Sequence, residues 1–229
     1  MGHGTRILAI RHGETAWNVD TRIQGQLDIP LNDTGRWQAG RVAEALAGED
    51  IAAIYASDLV RAADTAAAIS LRTGLPVIHD QGLRERRFGL FQGRTVAEIE
   101  AIHPDLVRRW KSREPDFEPE GAESLRVFYQ RSVDAAQRLA AAHPGETVVL
   151  VAHGGVLDCL YRAASRVDLL AARTWQLGNA SINRLLYTPE GFTLVGWGDT
   201  LHLQGGEALD DTIDARAAHG GAARVGHAA

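Results

Sequence analysis

The sequence predicts an α/β protein: a mostly parallel sheet held between two layers of helices, a three-layer α/β/α sandwich. Short apolar runs alternate with longer segments of helical spacing along most of the chain. One run, Thr147-Val148-Val149-Leu150-Val151-Ala152, carries no charge and is rich in β-branched residues, as a strand covered on both faces must be. The 229 residues suffice for a full core, and the single cysteine, Cys159, can close no intramolecular disulfide, so packing must hold the fold.

Taken in order, Ile7-Leu8-Ala9-Ile10 between Arg6 and Arg11 reads as a buried strand. Thr34 to Leu46 follows with Trp37, Val42 and Leu46 near helical spacing and Asp33 or Thr34 able to cap it. Ile51 to Ala56 is a second strand. The Ala-rich Leu59 to Leu71 is a helix stopped by Gly74, with Pro76 just beyond. Pro76 to His79 is a third strand. Thr95 and Glu98 stand at capping-box spacing and start a helix to Ile102, and Pro104 to Trp110 begins another at an angle. Lys111 to Gly121, with Pro115, Pro119 and a run of acids, reads as a surface loop. Ser124 to Ala142 is a long helix, and Gly155 to Ala164 is the helix after the central strand. Ile182 to Thr188 and Phe192 to Trp197 form a hairpin around Pro189-Glu190-Gly191. Beyond about Gly205 the periodicity ends. The expected organisation is one domain over residues 1–204 and a loose tail over 205–229.

Composition narrows the function classes. Hydrophobic residues make up 45% and charged residues 23%, and the formal net charge is −5, which argues against a surface built as a nucleic-acid footprint. The longest near-apolar run falls far short of the roughly 20 residues a membrane helix needs, and Met1-Gly2-His3-Gly4 lacks the charged-then-apolar order of a signal peptide. A cytoplasmic protein with neither a membrane nor a nucleic-acid partner is expected. Exposed strand edges leave room for a homodimer.

In open α/β sheets the ligand crevice lies beyond the carboxyl ends of the strands. Residues at those ends therefore matter most. The first strand leads into Arg11-His12-Gly13-Glu14-Thr15 and the second into Ser57-Asp58-Leu59-Val60-Arg61. The third leads toward Arg84-Glu85-Arg86-Arg87-Phe88-Gly89, and the central one ends in His153-Gly154-Gly155. Two histidines, two arginines and a glutamate thus gather at one rim. Arginine matches phosphate oxygens in a two-pronged geometry. Neutral imidazole is a nucleophile able to divide one hard step into two easier ones. Gly13 and Gly154 allow close backbone approach, and the helix after His153 turns its N-terminal amides toward an anion. A carboxyl group can protonate a leaving oxygen. No P-loop lysine motif is present.

These motifs resemble the histidine phosphatase superfamily, the phosphoglycerate mutase-like fold. R-H-G-E-T at residues 11–15, Trp17-Asn18, Gln24-Gly25, Asp28 with Pro30-Leu31, Gly35, Ser57-Asp58-Leu59 with Arg61-Ala62 and Thr65, Arg84-Glu85 with Phe88-Gly89 and Gly93, and His153-Gly154-Gly155 follow its order over roughly residues 5–200. The resemblance implies His12 as the nucleophile that becomes phosphohistidine, and Arg11, Arg61 and His153, with Gly154, around the phosphate. It implies Glu85 as general acid and then base, Asn18 as a further phosphate donor, and Gln24 and Gly25 as substrate-side contacts. The clustered cations should keep His12 unprotonated and stabilise the transferring phosphoryl group, so neither metal nor cofactor is expected. The implied activity is hydrolysis of small phosphorylated metabolites.

Other readings compete. Cofactor-dependent phosphoglycerate mutases share this core but carry a longer, Pro-rich and basic insertion before the second histidine. Val96 to Glu120 is short and its loop acidic, which favours a phosphatase. A phosphate-binding pseudoenzyme without turnover is a third reading. A zinc site built from His12, His153, Asp58 and Glu85 would sit beside two repelling arginines. Glu14 could merely organise its loop, Asp58 could cap a helix, and Arg84, Arg86 and Arg87 could be clamp or surface. Cys159 is expected in the core. The remaining histidines, including His143 and His202, and the acidic stretch Glu114 to Glu123 are expected at the surface.

Overall fold

The computed structural model describes residues 4–204 together with the backbone of 208–210 and 223–225. The elements run β1 (Thr5–Arg11), α1 (Ala16–Val19), α2 (Asp33–Ala45), β2 (Ile51–Ala56), α3 (Val60–Thr73), β3 (Val77–His79), α4 (Val96–Ile102), α5 (Pro104–Lys111), α6 (Leu125–Ala141), β4 (Thr147–Ala152), α7 (Gly154–Ser165), β5 (Ile182–Thr188) and β6 (Gly191–Asp199). One six-stranded sheet has the order β3-β2-β4-β1-β5-β6. The pairings β2–β3, β2–β4 and β1–β4 are parallel, whereas β5 joins β1 and β6 antiparallel. The uncharged run is indeed the centre: every residue of β4 is buried between β1 and β2.

Two apolar clusters make the sandwich. Ile7 and Ala9 of β1 and Val148 and Leu150 of β4 face Phe128, Ala136 and Leu139 of α6 and Val156, Leu157 and Leu160 of α7. Leu8, Ile10, Val149 and Val151, one step along in each strand, face Val42 and Leu46 of α2 and Ala62, Ala66 and Ile69 of α3. The two-residue alternation of the strands thus sends side chains to two helical layers. Cys159 belongs to the first cluster, as expected. A third cluster of Ile23, Phe91, Ile99, Val107, Trp110 and Phe117 lies under α4 and α5. The segment carrying it is closed at its base where Phe88 bridges Ala122.

This topology dictates where a ligand can sit. The chain leaves β1 toward the α2 layer and leaves β4 toward the α7 layer. Adjacent parallel strands whose connections depart to opposite faces open a crevice at their carboxyl ends. The register pairs Arg11 with Ala152, so His12 and His153 emerge side by side at that crevice.

Local chemistry explains most boundaries. Thr95 and Glu98 form the capping box of α4, and Gly74 ends α3 in the left-handed region at φ 78°. The cap of α2 is a correction: it is Asn32, whose side chain accepts from Gly35 N–H, rather than Asp33 or Thr34. The first turn of α3 is capped across the chain, with Val60 N–H donating to Asp28 Oδ1 at 2.7 Å. The acidic stretch expected at the surface includes buried residues, among them Phe117, Pro119 and Glu123. His143 is half-buried, bonded to Tyr55 Oη at 2.9 Å and Glu146 at 2.7 Å, and His202 meets the Ala180 carbonyl at 3.0 Å. Neither is a plain surface histidine. In the segment expected to be loose, β7 (Ala208–Asp210) and β8 (Ala223–Val225) pair antiparallel, and the rest of 205–229 lies outside the described residues.

Candidate active site

His12 and His153 meet beyond β1 and β4 with ring centroids 5.2 Å apart, both buried. His12 Nδ1 lies 2.7 Å from the Gly13 carbonyl oxygen. A carbonyl oxygen can only accept, so Nδ1 carries the proton and Nε2 the lone pair. The Gly13 carbonyl is itself fixed, because Gly13 N–H donates to Thr65 Oγ1 at 3.1 Å and the Gly13 backbone packs on Gly35. The ring's backbone is held from the other side: the His12 carbonyl accepts from Asn179 Nδ2 at 3.1 Å and Ala180 N–H at 3.2 Å.

His153 Nε2 lies 2.8 Å from Ser57 Oγ. Its Nδ1 is buried with no protein hydrogen-bond partner, an open polar position of the kind a ligand oxygen would fill. Burial holds this imidazole well below the ordinary histidine range, reinforced by the charges of Arg61 and Arg11. His153 is therefore neutral.

Arg11 and Arg61 flank the pair, 3% and 1% exposed. Arg11 donates to the Leu177 carbonyl, and Arg61 donates to the carbonyls of Leu27 at 2.9 Å and Gly25 at 2.7 Å. Carbonyl anchoring aims a guanidinium without neutralising it. Asn18 accepts at Oδ1 from Thr15 N–H at 2.8 Å and Thr15 Oγ1 at 2.9 Å, which fixes the orientation of its side-chain amide. The first of these bonds, with Asn18 N–H donating to Thr15 Oγ1 at 3.2 Å, forms the capping box of α1, a one-turn helix too short for periodicity to reveal.

Glu85 completes the rim. Its carboxylate accepts from Arg86 N–H at 2.7 Å and from Gly155 N–H, in the first turn of α7, at 3.0 Å. A Cβ on Gly155 would stand 2.2 Å from Glu85 Oε1, so only glycine admits the carboxylate there. Burial raises its proton affinity above the ordinary carboxylate range, against the opposing pull of those two N–H groups and of Arg61 and Arg11.

The cavity over these groups encloses about 1000 Å³ including its mouth. Arg11, His12, Asn18, Gln24, Gly25, Arg61, Glu85 and Gly154 all line it, so eight of the nine expected site residues share one wall and His153 stands directly behind. The outer wall is aromatic, with Phe88, Trp110, Phe117 and Phe128. The ambiguous residues separate. Asp58 does not cap α3; Arg84 grips both its oxygens at 2.6 and 2.5 Å, and this pair lowers its proton affinity. Arg86 is buried against the cavity, where burial pulls its guanidinium down to about 10, and Arg87 is exposed. Glu14 organises its loop by accepting from Asn32 Nδ2 at 2.7 Å. Sequence reasoning assigned no role to Asn179 or Ser57, which touch the histidines from loops far away in the chain.

Comparison with known proteins agrees with this geometry. A family model described as the histidine phosphatase superfamily (branch 1) matches residues 7–200. Phosphoglycerate mutase-like protein 4 of Arabidopsis thaliana is 42% identical over 202 residues, covering 86% of this chain and 86% of its own length. A metal-independent phosphoserine phosphatase of the same plant is 39% identical over 202 residues, covering 87% of this chain and 83% of that one. Among solved structures, mycobacterial glucosyl-3-phosphoglycerate phosphatase complexed with VO3 superposes with a TM-score of 0.74 at 38% identity, covering 85% of this chain and 99% of that one. With the family model matched over residues 7–200 and these relatives covered over most of their length, the chain belongs to branch 1 of the histidine phosphatase superfamily.

Proposed function

We propose that the protein is a metal-independent phosphomonoesterase that hydrolyses small phosphorylated metabolites through a phosphohistidine at His12. The observation that carries this reading is the tautomer lock on His12: its Nδ1 proton is committed to the Gly13 carbonyl, so the lone pair sits on Nε2, between two buried arginines. The phosphoryl group binds among Arg11, Arg61, His153 and Asn18, with the α7 amides at Gly154 adding positive dipole. Gln24 and Gly25 bound the substrate side. Nε2 attacks phosphorus while the ester P–O bond breaks, and Glu85 gives its proton to the departing alkoxide. The Glu85 carboxylate then takes a proton from water, whose oxygen attacks phosphorus. The N–P bond breaks, phosphate leaves, and Glu85 and His12 return to their starting forms. Raised proton affinity suits Glu85 to the first task, since it keeps the acid form populated closer to neutrality. The arginines supply the positive charge that most stabilises phosphoryl transfer.

The alternative is phosphoglycerate mutase chemistry, which the name of one relative keeps in view. A short segment over the site favours water as the acceptor. Phosphate release from a panel of phosphomonoesters, with chelator present, separates the two, with 3-phosphoglycerate primed by 2,3-bisphosphoglycerate included. Free phosphate from several esters, insensitive to chelator, is expected. Interconversion of the phosphoglycerates with little free phosphate would make the protein a mutase. A domain spanning residues 1–204 and a cytoplasmic setting accompany the proposal. Among the described residues no helix is long and apolar enough to cross a membrane.

A further inference from the structure

Glu85 sits on an irregular segment between β3 and the outer wall, yet its carboxyl must reach a leaving oxygen within hydrogen-bond range. Gln26 Nε2 donates to the Glu85 carbonyl at 3.1 Å, but the side chain that ties the segment together at several points comes from α6, the helix packed against it. Arg131, in the second turn of α6, donates through Nη1 to the carbonyls of Gly82 and Arg84, both at 2.9 Å, and through Nη2 to the carbonyl of Glu85 at 3.3 Å. The same guanidinium holds the buried Glu123 carboxylate, at 2.6 Å from Nη2 and 3.3 Å from Nε. Glu123 Oε1 in turn accepts from Arg87 N–H at 2.9 Å, and the Glu123 carbonyl from Arg86 Nε at 3.0 Å. The backbone is thus pinned on both sides of Glu85 by one planar fork and its carboxylate. The fork also lies over the Phe128 ring, 5.2 Å from its centroid, and that ring packs where Gly155 donates to Glu85 Oε2.

We infer that Arg131, with Glu123 as its anchor, is a positioning residue for the general acid. It acts on proton delivery to the leaving group and not on phosphate binding. The inference rests on the phosphatase reading above. Lysine cannot replace it, because an ammonium lacks the planar set of donors that reaches three carbonyls and a carboxylate together.

The test uses the full-length protein with one alkyl and one aryl phosphate. Aryl leaving groups need little protonation, so loss of acid function slows the alkyl ester selectively. Since a misplacement of about 1 Å can cost on the order of 100-fold, Arg131→Met should lower kcat on the alkyl ester by roughly 10- to 100-fold. KM should stay near the wild-type value, and the aryl ester should fall far less. Arg131→Lys should fail to restore the alkyl rate. In a Glu85→Gln background, Arg131→Met should leave the alkyl-to-aryl ratio within about twofold, because residues acting through one group are not additive. Equal losses on both esters, or a ratio that falls again in the Glu85→Gln background, would overturn the inference and leave the phosphatase reading standing. If Arg131→Met does not fold, Glu123→Gln gives the same test with a smaller shift of the ratio, and an unchanged ratio in that folded variant overturns the inference. Wild-type protein that releases phosphate from neither ester overturns both.

Discussion

The two histidines at the crevice have identical side chains and different surroundings. The Gly13 carbonyl oxygen faces Nδ1 of His12 and leaves Nε2 as the nitrogen the proposed mechanism uses, whereas burial and adjacent guanidinium charge hold His153 well below the ordinary histidine range. The second effect has a measurable consequence. An unfolded histidine takes up a proton near pH 6.5, but folded His153 does not, so the unfolded state binds more protons below that pH. The stability contributed by His153 is complete above about pH 6.5 and lost as pH falls below it. His202, also lowered by burial, acts in the same direction. Glu85 opposes them, since its raised affinity makes the folded state bind more protons above the ordinary carboxylate range. In the Glu85→Gln variant, denaturant titrations should therefore show stability falling steadily from pH 6.5 to pH 5, and a flat profile would contradict a neutral buried His153. At this scale the sequence was legible where residues share a local motif: Arg11, His12, Arg61, Glu85 and His153 could be named because each follows a strand. Ser57 stands at a strand end by the same rule, but Asn179 and Arg131 make their contacts across the fold, and no spacing in the sequence records such a contact.

Helices and strands were legible wherever an apolar period ran long enough. The structure supplies what periodicity lacks, above all how closely elements approach. The start of α2 lies against the loop that carries His12: a Cβ on Gly35 would stand 2.0 Å from the Glu14 carbonyl oxygen, and one on Gly13 2.4 Å from the Gly35 carbonyl oxygen. These obstacles are backbone and cannot rotate away. Gly35→Ala should therefore destabilise the fold by about 1–3 kcal/mol and shift the loop after β1. Thermal unfolding and phosphate release measured on the same sample should show activity falling more than stability requires. An unchanged melting temperature with unchanged activity would show that the loop can yield. The α2 cap was misplaced in the sequence reading because asparagine, aspartate and threonine stand side by side at residues 32–34 and all cap well. The one-turn α1 was missed because four residues carry no period.

For the molecule as a whole, alternation of strands and helices gave the layered class, and the strand-end rule gave the location of the site. Strand order was not readable, because no residue states its partner strand. The order β2-β4-β1-β5 is nevertheless what makes the site: it seats β1 beside β4, whose connections part to opposite faces. The segment above the crevice was read as solvated and acidic. Asp116, Glu118 and Glu120 are exposed as expected, but Glu123 is buried against Arg131, and Trp110 and Phe117 give the segment an apolar cluster of its own. Charge composition alone could not show this, since pairing depends on which arginines the fold brings near. The proposed mechanism turns on one covalent step, transfer of the phosphoryl group through His12. Rapid acid-free quenching of the protein with an aryl phosphate, followed by peptide mass analysis, tests it directly. One added phosphoryl group is expected on the peptide containing His12, absent in a folded His12→Ala variant that also loses turnover by orders of magnitude. Turnover that survives His12→Ala, or a phosphoryl group trapped on another residue, would contradict it.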